Sequence, residues 1–399
     1  MPGPMEGVKV VEFGVWVAAP SAAALLADWG ADVIKIEPPE GDPFRGLMAG
    51  LSDSGSNPPF ELDNRGKRSV ALNLRTVEAR AIAYQILAEA DVFITNARPA
   101  ALVRSGLDFP TLSERFPRLI YAQLTGYGAD SDERDRAAFD VGAFWARAGI
   151  AALLTPDGAD FPMQRGGMGD HTAGAQLCAG ICAALYHRER TGEGQRVAVS
   201  LARTGVYTIG WDINIALRTG VPPGPMTRRT IPNPLIAPYR AGDGRAFWLL
   251  MLQGDRHWPD FCRAVGRPDW EHDERFSNLI ARAMNCGALS EEIDRVLATK
   301  PYAEWAAIFD REDIWYAPVQ GPAEVVDDPV MAQAGAFVDV PLGAGGTARM
   351  VATPVDFDGT PWEPGGPVPE LGQHTEEVLL ELGHDWGEIA NLKELGAIP

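Results

Sequence analysis

Residues 8–37, VKVVEFGVWVAAPSAAALLADWGADVIKIE, place an alanine-rich segment between two runs of β-branched and apolar residues. The runs at 8–13 and 32–37 have the length and composition of buried strands, and the segment at 21–30 carries apolar residues at helical spacing. A strand, a helix and a second strand in this order predict a β-α-β unit whose two strands lie parallel in one sheet.

The same alternation continues toward residue 126. Strand-like runs follow at 69–74, 91–96 and 119–126, and the segment at 76–90 has the apolar spacing of a helix. The sequence therefore predicts an α/β fold that opens with a Rossmann-like parallel sheet. The turn at 14–20 has one glycine where a GxGxxG turn has three, so NAD binding is not favoured even though Glu37 ends the second strand.

The second half of the chain predicts a smaller α+β domain. A long helix is predicted at 171–190, then a strand at 195–201 and a helix at 201–219, before the proline-rich segment 221–238, which is the best linker candidate. A strand pair at 239–252, helical segments through 258–312 and a helical stretch at 376–383 follow. We expect a large domain at 1–220, a linker and small α+β domain at 221–320, and a return to the large domain with a C-terminal tail at 321–399.

Composition excludes several classes of protein. The 399 residues are 46% hydrophobic and 22% charged, which is typical of a globular protein and not of a disordered one. The chain has no apolar run of the roughly 18 residues that cross a membrane and no signal-peptide pattern, so we expect a cytoplasmic protein. Its four cysteines, Cys178, Cys182, Cys262 and Cys286, form no CxxC pair and imply neither a disulfide framework nor a metal.

The charge is strongly acidic, with one local exception. With 35 basic and 54 acidic residues the formal net charge is −19, which disfavours nucleic acids and anionic membranes as partners. Between 61 and 104 seven basic side chains face five acidic ones, a net charge of +2. This stretch is either a solvated face or a binding site for an anion such as a nucleotide phosphate.

The segment 165–171, RGGMGDH, places three glycines and Asp170 just before the predicted long helix. Asp170 fits the N-cap of that helix, because aspartate side chains accept hydrogen bonds from free helix amides. It also fits a nucleophile, because glycines permit close approach of a substrate and the helix dipole stabilises an anion. His171 is a general-base candidate or a hydrogen-bonded bystander. No GxSxG motif is present, which argues against a serine hydrolase.

Five segments, in order along nearly the whole chain, resemble the signatures of class III (CaiB/BaiF-type) CoA-transferases. They are 7–45, 64–74 (NRGKRSVALNL), 96–107 (NARPAALVRSGL), 169–201 (GDHTAGAQLCAGICAALYHRERTGEGQRVAVSL) and 371–383 (LGQHTEEVLLELG). The resemblance implies the CoA-transferase family III fold, an interlocked homodimer, and acyl-CoA and a carboxylic acid as substrates with no tightly bound cofactor or metal. It implies that Asp170 becomes covalently acylated. The CoA contacts that it implies are Val17, Ala18, Leu72, Arg75, Asn96, Arg98 and Arg104. Asp140 is a further candidate for contact with CoA, and it is also compatible with orienting the site or with a buried hydrogen-bonding role.

Two other functions are compatible with the residues. The α-methylacyl-CoA racemases share these motifs but use a histidine where this chain has Phe139, which cannot move a proton. A non-catalytic acyl-CoA-binding protein would need the CoA contacts but not Asp170. Within the transferases, Pro38 and Ala137 replace basic residues of oxalate-type enzymes and 231–234 lacks their glycine-rich loop, so 2-hydroxy acids, aryl-lactates or carnitine-like acids are favoured. Candidates to line an acyl pocket are Trp16, Phe139, Trp211 and Trp248.

Overall fold

The computed structural model describes residues 3–47, 56–343 and 345–399. The opening segment forms β1 (Lys9–Phe13), α1 (Ala18–Asp28) and β2 (Asp32–Glu37), and β1 pairs with β2 in parallel. Helix α1 stops where Gly30 takes a φ of 97°, a backbone conformation that glycine adopts without a Cβ clash. The predicted β-α-β unit is confirmed.

The chain then continues to residue 219 through further strands and helices. Those that follow β2 are α2 (Pro58–Asn64), β3 (Arg68–Ala71), α3 (Val77–Ala88), β4 (Val92–Thr95), α4 (Pro99–Ser105), α5 (Phe109–Arg115), β5 (Ile120–Thr125), α6 (Ile150–Leu153), α7 (Met168–Thr191), β6 (Arg196–Ser200), α8 (Leu201–Thr208) and α9 (Gly210–Thr219). A 3₁₀ turn occupies Pro43–Gly46 and a π-helical segment occupies Val141–Arg147. The predicted helix at 201–219 is two helices, because Ile209 leaves helical geometry.

All six of these strands lie parallel in one sheet, in the order β3-β2-β1-β4-β5-β6. The order reverses direction between β1 and β4, which makes this pair the switch point of a doubly wound fold. One apolar cluster covers the face that α1 and α7 share, and a second packs under α3 on the opposite face. The predicted Rossmann-like α/β architecture is therefore confirmed, and it directs attention to the carboxyl ends of β1 and β4.

Small residues allow α1 and α7 to pack closely. A Cβ on Gly174 would lie 2.1 Å from the Oγ of Ser21 and 2.9 Å from the backbone oxygen of Ala18. Only glycine therefore fits at this crossing without movement of the backbone, and the contact brings the first turns of the two helices together.

A smaller compact unit comprises residues 152–162 and 223–331. Its strands β7 (Pro238–Arg240), β8 (Ala246–Leu249) and β9 (Tyr316–Pro318) form an antiparallel sheet over a core rich in tryptophan and phenylalanine. The predicted helical region at 258–312 is four helices and a 3₁₀ turn. The helices beyond β8 are α10 (Gly254–Ala264), α11 (Leu279–Met284), α12 (Cys286–Leu297), α13 (Tyr302–Arg311), α14 (Pro322–Asp327) and α15 (Pro329–Gln333), with the 3₁₀ turn at Pro268–His272.

The C-terminal part returns to the larger unit, which comprises 1–151, 163–222 and 332–399. It contains the antiparallel pair β10 (Phe337–Pro341) and β11 (Thr347–Val351), then α16 (Thr375–Glu381) and α17 (Trp386–Glu394). The domain boundaries expected at 220 and 320 stay a prediction. In the described part of the chain, no helix is both long and apolar enough to cross a membrane. The cytoplasmic location also stays a prediction.

Candidate active site

The loops that follow β1 and β4 are tied together by Asn96. Its side-chain amide donates to the backbone oxygen of Val15 at 2.7 Å and its side-chain oxygen accepts from the Val15 amide at 3.0 Å. Both polar ends of Asn96 are therefore occupied by the β1 loop. This pairing fixes the two loops at the switch point of the sheet, where ligands bind in doubly wound folds.

Two adjoining cavities of about 540 and 440 Å³ open at these loops. They share lining from Val15, Asn96, Ala97, Ala101 and Arg104. The first is also lined by Leu72 and Arg75, and the second by Val17, Ala18, Arg98 and Asp170. The structure thus brings together all of the residues predicted to contact CoA except Asp140.

Exposed arginines give these cavities a positive lining. Arg75, Arg98 and Arg104 make no ion pair or side-chain hydrogen bond with any residue that the structure describes, so their guanidinium groups are available to an anion. Arg134 and Arg136 also line the second cavity. Sequence reasoning missed Arg134 and Arg136, because four acidic residues outweigh their charge within 130–136.

Asp170 lies within the first turn of α7 and is not its N-cap, so that prediction was wrong. The helix begins earlier, at Met168, because Gly167 takes the N-cap position with a φ of 78°. A residue with a Cβ would be strained there. The carboxylate of Asp170 accepts no hydrogen bond from the residues described here, and it faces the second cavity. Its position near the positive end of α7 favours an anion.

Asp140 is buried behind Asp170 and holds the start of α7. One of its carboxylate oxygens accepts from the Gly169 amide at 3.0 Å and from the side chain of Gln164 at 2.7 Å, and the other accepts from the Val141 amide at 2.8 Å. Asp140 lines neither cavity. With both oxygens occupied, it is placed to orient the site, and its contact with CoA stays a prediction.

The electrostatic environment holds Asp170 near the midpoint of its titration at neutral pH. Burial raises the pKa of Asp170 to about 7, and the negative charges of Asp140 and Asp63 act in the same direction, while His171 opposes them. A carboxyl group that is neither fully protonated nor fully ionised at neutral pH is characteristic of functional sites.

His171, the neighbour of Asp170, is hydrogen-bonded to a buried carboxylate. Its Nε2 lies 2.9 Å from the Oδ1 of Asp63, which comes from α2. Burial raises the pKa of Asp63, and His171 acts against that rise. Sequence reasoning weighed His171 but missed Asp63, which lies 108 positions away and has no local motif.

Trp16 has a strained backbone at the mouth of the second cavity. Its φ is 65°, a conformation that costs a bulky residue free energy, and its amide donates to the Oδ1 of Asp42 at 3.1 Å. The Trp16 ring lies edge-on to Phe139, with centroids 5.7 Å apart. Both aromatic residues line the cavity that contains Asp170, whereas Trp211 and Trp248 do not. No group of metal-binding side chains occurs among the described residues.

The family model described as CoA-transferase family III matches residues 5–375. The chain is 35% identical over 394 residues to the (R)-2-hydroxy-4-methylpentanoate CoA-transferase of Clostridioides difficile, covering 98% of each protein. It is also 35% identical over 397 residues to the cinnamoyl-CoA:phenyllactate CoA-transferase of Clostridium sporogenes, covering 98% of this chain and 96% of that protein.

A solved structure has the same fold. The crystal structure of a CaiB/BaiF family protein from Brucella suis superposes with a TM-score of 0.83 at 29% sequence identity. The match covers 96% of this chain and 100% of that one.

Proposed function

The chain belongs to CoA-transferase family III and is an enzyme of that family, and we propose that it transfers CoA through a covalent intermediate on Asp170. The observation that carries the proposal is the position of the Asp170 carboxylate. It faces a cavity whose lining includes Arg98 and Arg104, which have no ion-pair partner among the described residues, and it is hydrogen-bonded to no described residue. A carboxylate that is already engaged by the protein would be a poorer nucleophile.

The reaction proceeds by exchange between thioesters and anhydrides. An oxygen of Asp170 attacks the thioester carbonyl of the acyl-CoA, and the carbon–sulfur bond breaks to give an acyl-aspartyl anhydride and CoA thiolate. The thiolate attacks the aspartyl carbonyl, forms an aspartyl-CoA thioester and releases the original acid as its carboxylate. The acceptor carboxylate then attacks this thioester to give a second anhydride and thiolate. Thiolate attack on the acceptor's acyl carbon releases the new acyl-CoA and regenerates Asp170.

Backbone amides beside Asp170 support the charge that develops on oxygen. Helix α1 has no side-chain cap, and the amides of Val17, Ala18 and Ala19 donate to no acceptor in the described part of the chain. Val17 and Ala18 line the same cavity as Asp170. Free amides at a helix N-terminus stabilise an oxyanion by hydrogen bonding and through the helix dipole. We assign them to the tetrahedral intermediates.

CoA itself supplies the anion that the arginine-lined cavities fit. Arg75, Arg98 and Arg104 are the proposed partners of its phosphates, because guanidinium groups bind phosphate oxygens in a bidentate manner. Leu72, Val17 and Ala18 supply apolar and backbone contacts along the remainder of the molecule. The racemase alternative is weaker, because Phe139 lies where a second proton-transfer group would be needed.

A 2-hydroxy acid with a bulky apolar side chain is the proposed acyl substrate. Trp16 and Phe139 present aromatic surface to the Asp170 cavity, and 57% of the Phe139 surface is exposed in the free chain. The two relatives named above act on a branched 2-hydroxy acid and on an aryl-lactate, as their names state. Pro38 and Ala137 line the cavities where oxalate-type enzymes have basic residues, which makes oxalate a poorer substrate.

The active protein is proposed to be an interlocked homodimer. Helix α9 buries none of its residues within the chain. The helix leaves 89% of the Trp211 surface and 77% of the Leu217 surface exposed. Exposed apolar surface of this kind is unfavourable in water and marks a contact with another protein chain. A second copy covering α9 would remove that surface. Light scattering of the wild type and of the Leu217→Asp variant tests this, with a dimer and a weakened dimer expected; a monomeric wild type would contradict it.

The transferase proposal is tested by comparing Asp170→Ala with Asp160→Ala. Asp160 is exposed and lines neither cavity, so its variant controls for the loss of a surface charge. We expect Asp170→Ala to abolish transfer from 4-methyl-2-hydroxypentanoyl-CoA or an aryl-lactyl-CoA to a second acid, while Asp160→Ala retains it. Full transfer activity in Asp170→Ala would exclude the mechanism.

A further inference from the structure

His171 and Asp63 form a hydrogen-bonded pair directly beside the proposed nucleophile. The imidazole Nε2 lies 2.9 Å from the Asp63 carboxylate, whose side chain is only 4% exposed, whereas 44% of the His171 side chain is exposed. The imidazole thus lies between a buried carboxylate and the exposed surface of α7. The mechanism of CoA transfer proposed above gives no role to Asp63 or His171.

The buried end of the pair is held rigidly. The Nζ of Lys67 donates to the backbone oxygen of Asp63 at 2.5 Å and to the carboxylate of Glu12 at 2.6 Å. At the other end, the imidazole packs over the N-cap of α7. A Cβ added to Gly167 would lie 3.3 Å from the Cε1 of His171. The ring is therefore fixed between Asp63 and the first turn of α7, and its Nδ1 makes no hydrogen bond to a described residue.

The charges around the imidazole favour its protonated form. Burial alone would lower the pKa of His171, but the hydrogen bond and charge of Asp63 outweigh it, and Asp170 and Asp140 add to the rise. Asp63 in turn faces Lys67 and Glu12 as well as His171. The hydrogen bond and the charge of Asp63 therefore favour a protonated imidazole next to Asp170.

A positive charge next to Asp170 would favour the ionised form that attack on a thioester requires. Its own burial and the charges of Asp140 and Asp63 favour the protonated acid, which is not nucleophilic, whereas the charge on His171 favours the carboxylate. Four arginines also line the cavity, but Arg98 and Arg104 are assigned to CoA, and Arg134 and Arg136 pair with Asp135 and Glu133. His171, in contrast, is adjacent to Asp170 in the chain.

We propose that Asp63 and His171 are a positioning pair, which holds a protonated imidazole beside Asp170 and so keeps that carboxylate ionised for attack on the thioester. The proton stays on the imidazole throughout; the pair acts by its charge and not by proton transfer. This inference rests on the proposed role of Asp170 as the nucleophile.

The test is the pH dependence of kcat/KM in His171→Gln and Asp63→Asn. His171→Gln removes the positive charge, so Asp170 should ionise at higher pH and the acid limb should move upward by about one unit. Activity of this variant would then fall about tenfold at pH 6 and recover toward the wild-type value near pH 8.5. Asp63→Asn removes the support of that charge but also a negative charge that raises the pKa of Asp170, so its acid limb should move upward by less. The matched control is His187→Gln, an exposed histidine farther along the same helix, which should leave the limb in place.

The His171→Lys variant tests whether residue 171 acts through its positive charge or through the shape of the imidazole. A lysine restores the positive charge without the imidazole shape, so it should return the acid limb toward its wild-type position, even if the overall rate is lower. Equal loss of activity at every pH in His171→Gln, or an unmoved limb, would overturn the inference. Failure of the proposed function would look different, because the wild type would then form no acyl adduct on Asp170 at any pH.

Discussion

The carboxylate of Asp140 accepts a hydrogen bond from the backbone amide of Gly169, one residue before Asp170, at a distance of 3.0 Å. This contact fixes the first turn of α7 and places a second negative charge behind the proposed nucleophile. Asp140 therefore has two separable effects. It satisfies a helix amide that would otherwise be buried without a partner, and it raises the pKa of Asp170.

Substitution of Asp140 separates these effects. Asp140→Asn keeps an oxygen that can accept from Gly169 but removes the charge, so the pKa of Asp170 should fall and the acid limb of kcat/KM should move to lower pH. Asp140→Ala removes the acceptor as well and should also lower the free energy of unfolding by about 1–2 kcal/mol. Urea unfolding and pH–rate profiles measure the two effects. An acid limb that moves to higher pH in Asp140→Asn would contradict this assignment.

Asp170 itself should reduce the stability of the folded protein at neutral pH. Its pKa is raised from 3.8 to about 7 on folding, so the unfolded chain ionises first and the free energy of unfolding falls between these pH values. Above pH 7 the free energy of unfolding has fallen by the full amount that the ionisation of Asp170 contributes. Asp170→Asn removes this decrease, and we expect this variant to be more stable than the wild type by on the order of 2 kcal/mol at pH 8, with a smaller gain at pH 5. Unfolding by urea at both pH values checks this, with Asp160→Asn as the surface control.

Glu12 should be among the most sensitive positions in the large unit. Its two carboxylate oxygens lie 2.7 Å from the Nζ of Lys35 and 2.6 Å from the Nζ of Lys67, and all three side chains are fully buried. Glu12→Gln leaves the buried ammonium of Lys67 without an ion-pair partner and that of Lys35 with Asp42 alone, and it should cost about 3–5 kcal/mol of unfolding free energy. The exposed pair of Lys9 and Glu89 is the control, because Glu89→Gln should cost less than about 1 kcal/mol. Equal costs would show that the buried network is not stabilising.

Phe139 should determine which acyl groups are accepted. Phe139→Ala removes aromatic surface from the Asp170 cavity, so kcat/KM for a branched or aromatic 2-hydroxyacyl-CoA should fall by about tenfold more than for acetyl-CoA. The control is Phe161→Ala, a similarly exposed phenylalanine that lines neither cavity. An equal loss for both substrates in Phe139→Ala would assign the residue to general packing.

Much of the fold and part of the site could be predicted from local patterns. The strands of the parallel sheet could be predicted from apolar runs that alternate with segments of helical spacing. The local excess of positive charge between 61 and 104 allowed an anion site, but only the family resemblance singled out the arginines at 75, 98 and 104. The start of α7 could not be predicted correctly, because Asp170 is a good N-cap by composition and the left-handed backbone of Gly167 is visible only in three dimensions.

The parts that sequence reasoning missed depend on contacts between distant segments. Lysine side chains are mostly exposed in proteins, yet the carboxylate of Glu12 allows Lys35 and Lys67 to be buried. Trp16 gives no sign that its backbone is left-handed, since Asp42 stabilises that conformation from 26 positions away. The pairing of Asp63 with His171 has the same origin, because it joins α2 to α7.

The most direct measurement is to trap the covalent intermediate. The enzyme would be incubated with a panel of acyl-CoAs, including 4-methyl-2-hydroxypentanoyl-CoA and an aryl-lactyl-CoA, quenched with hydroxylamine or borohydride, and digested for mass spectrometry. We predict that Asp170 carries the hydroxamate or the reduced side chain, and that no modification appears in Asp170→Ala. An active enzyme that is never modified at Asp170, or that exchanges the α-proton of its substrate with deuterated water instead, would contradict the mechanism.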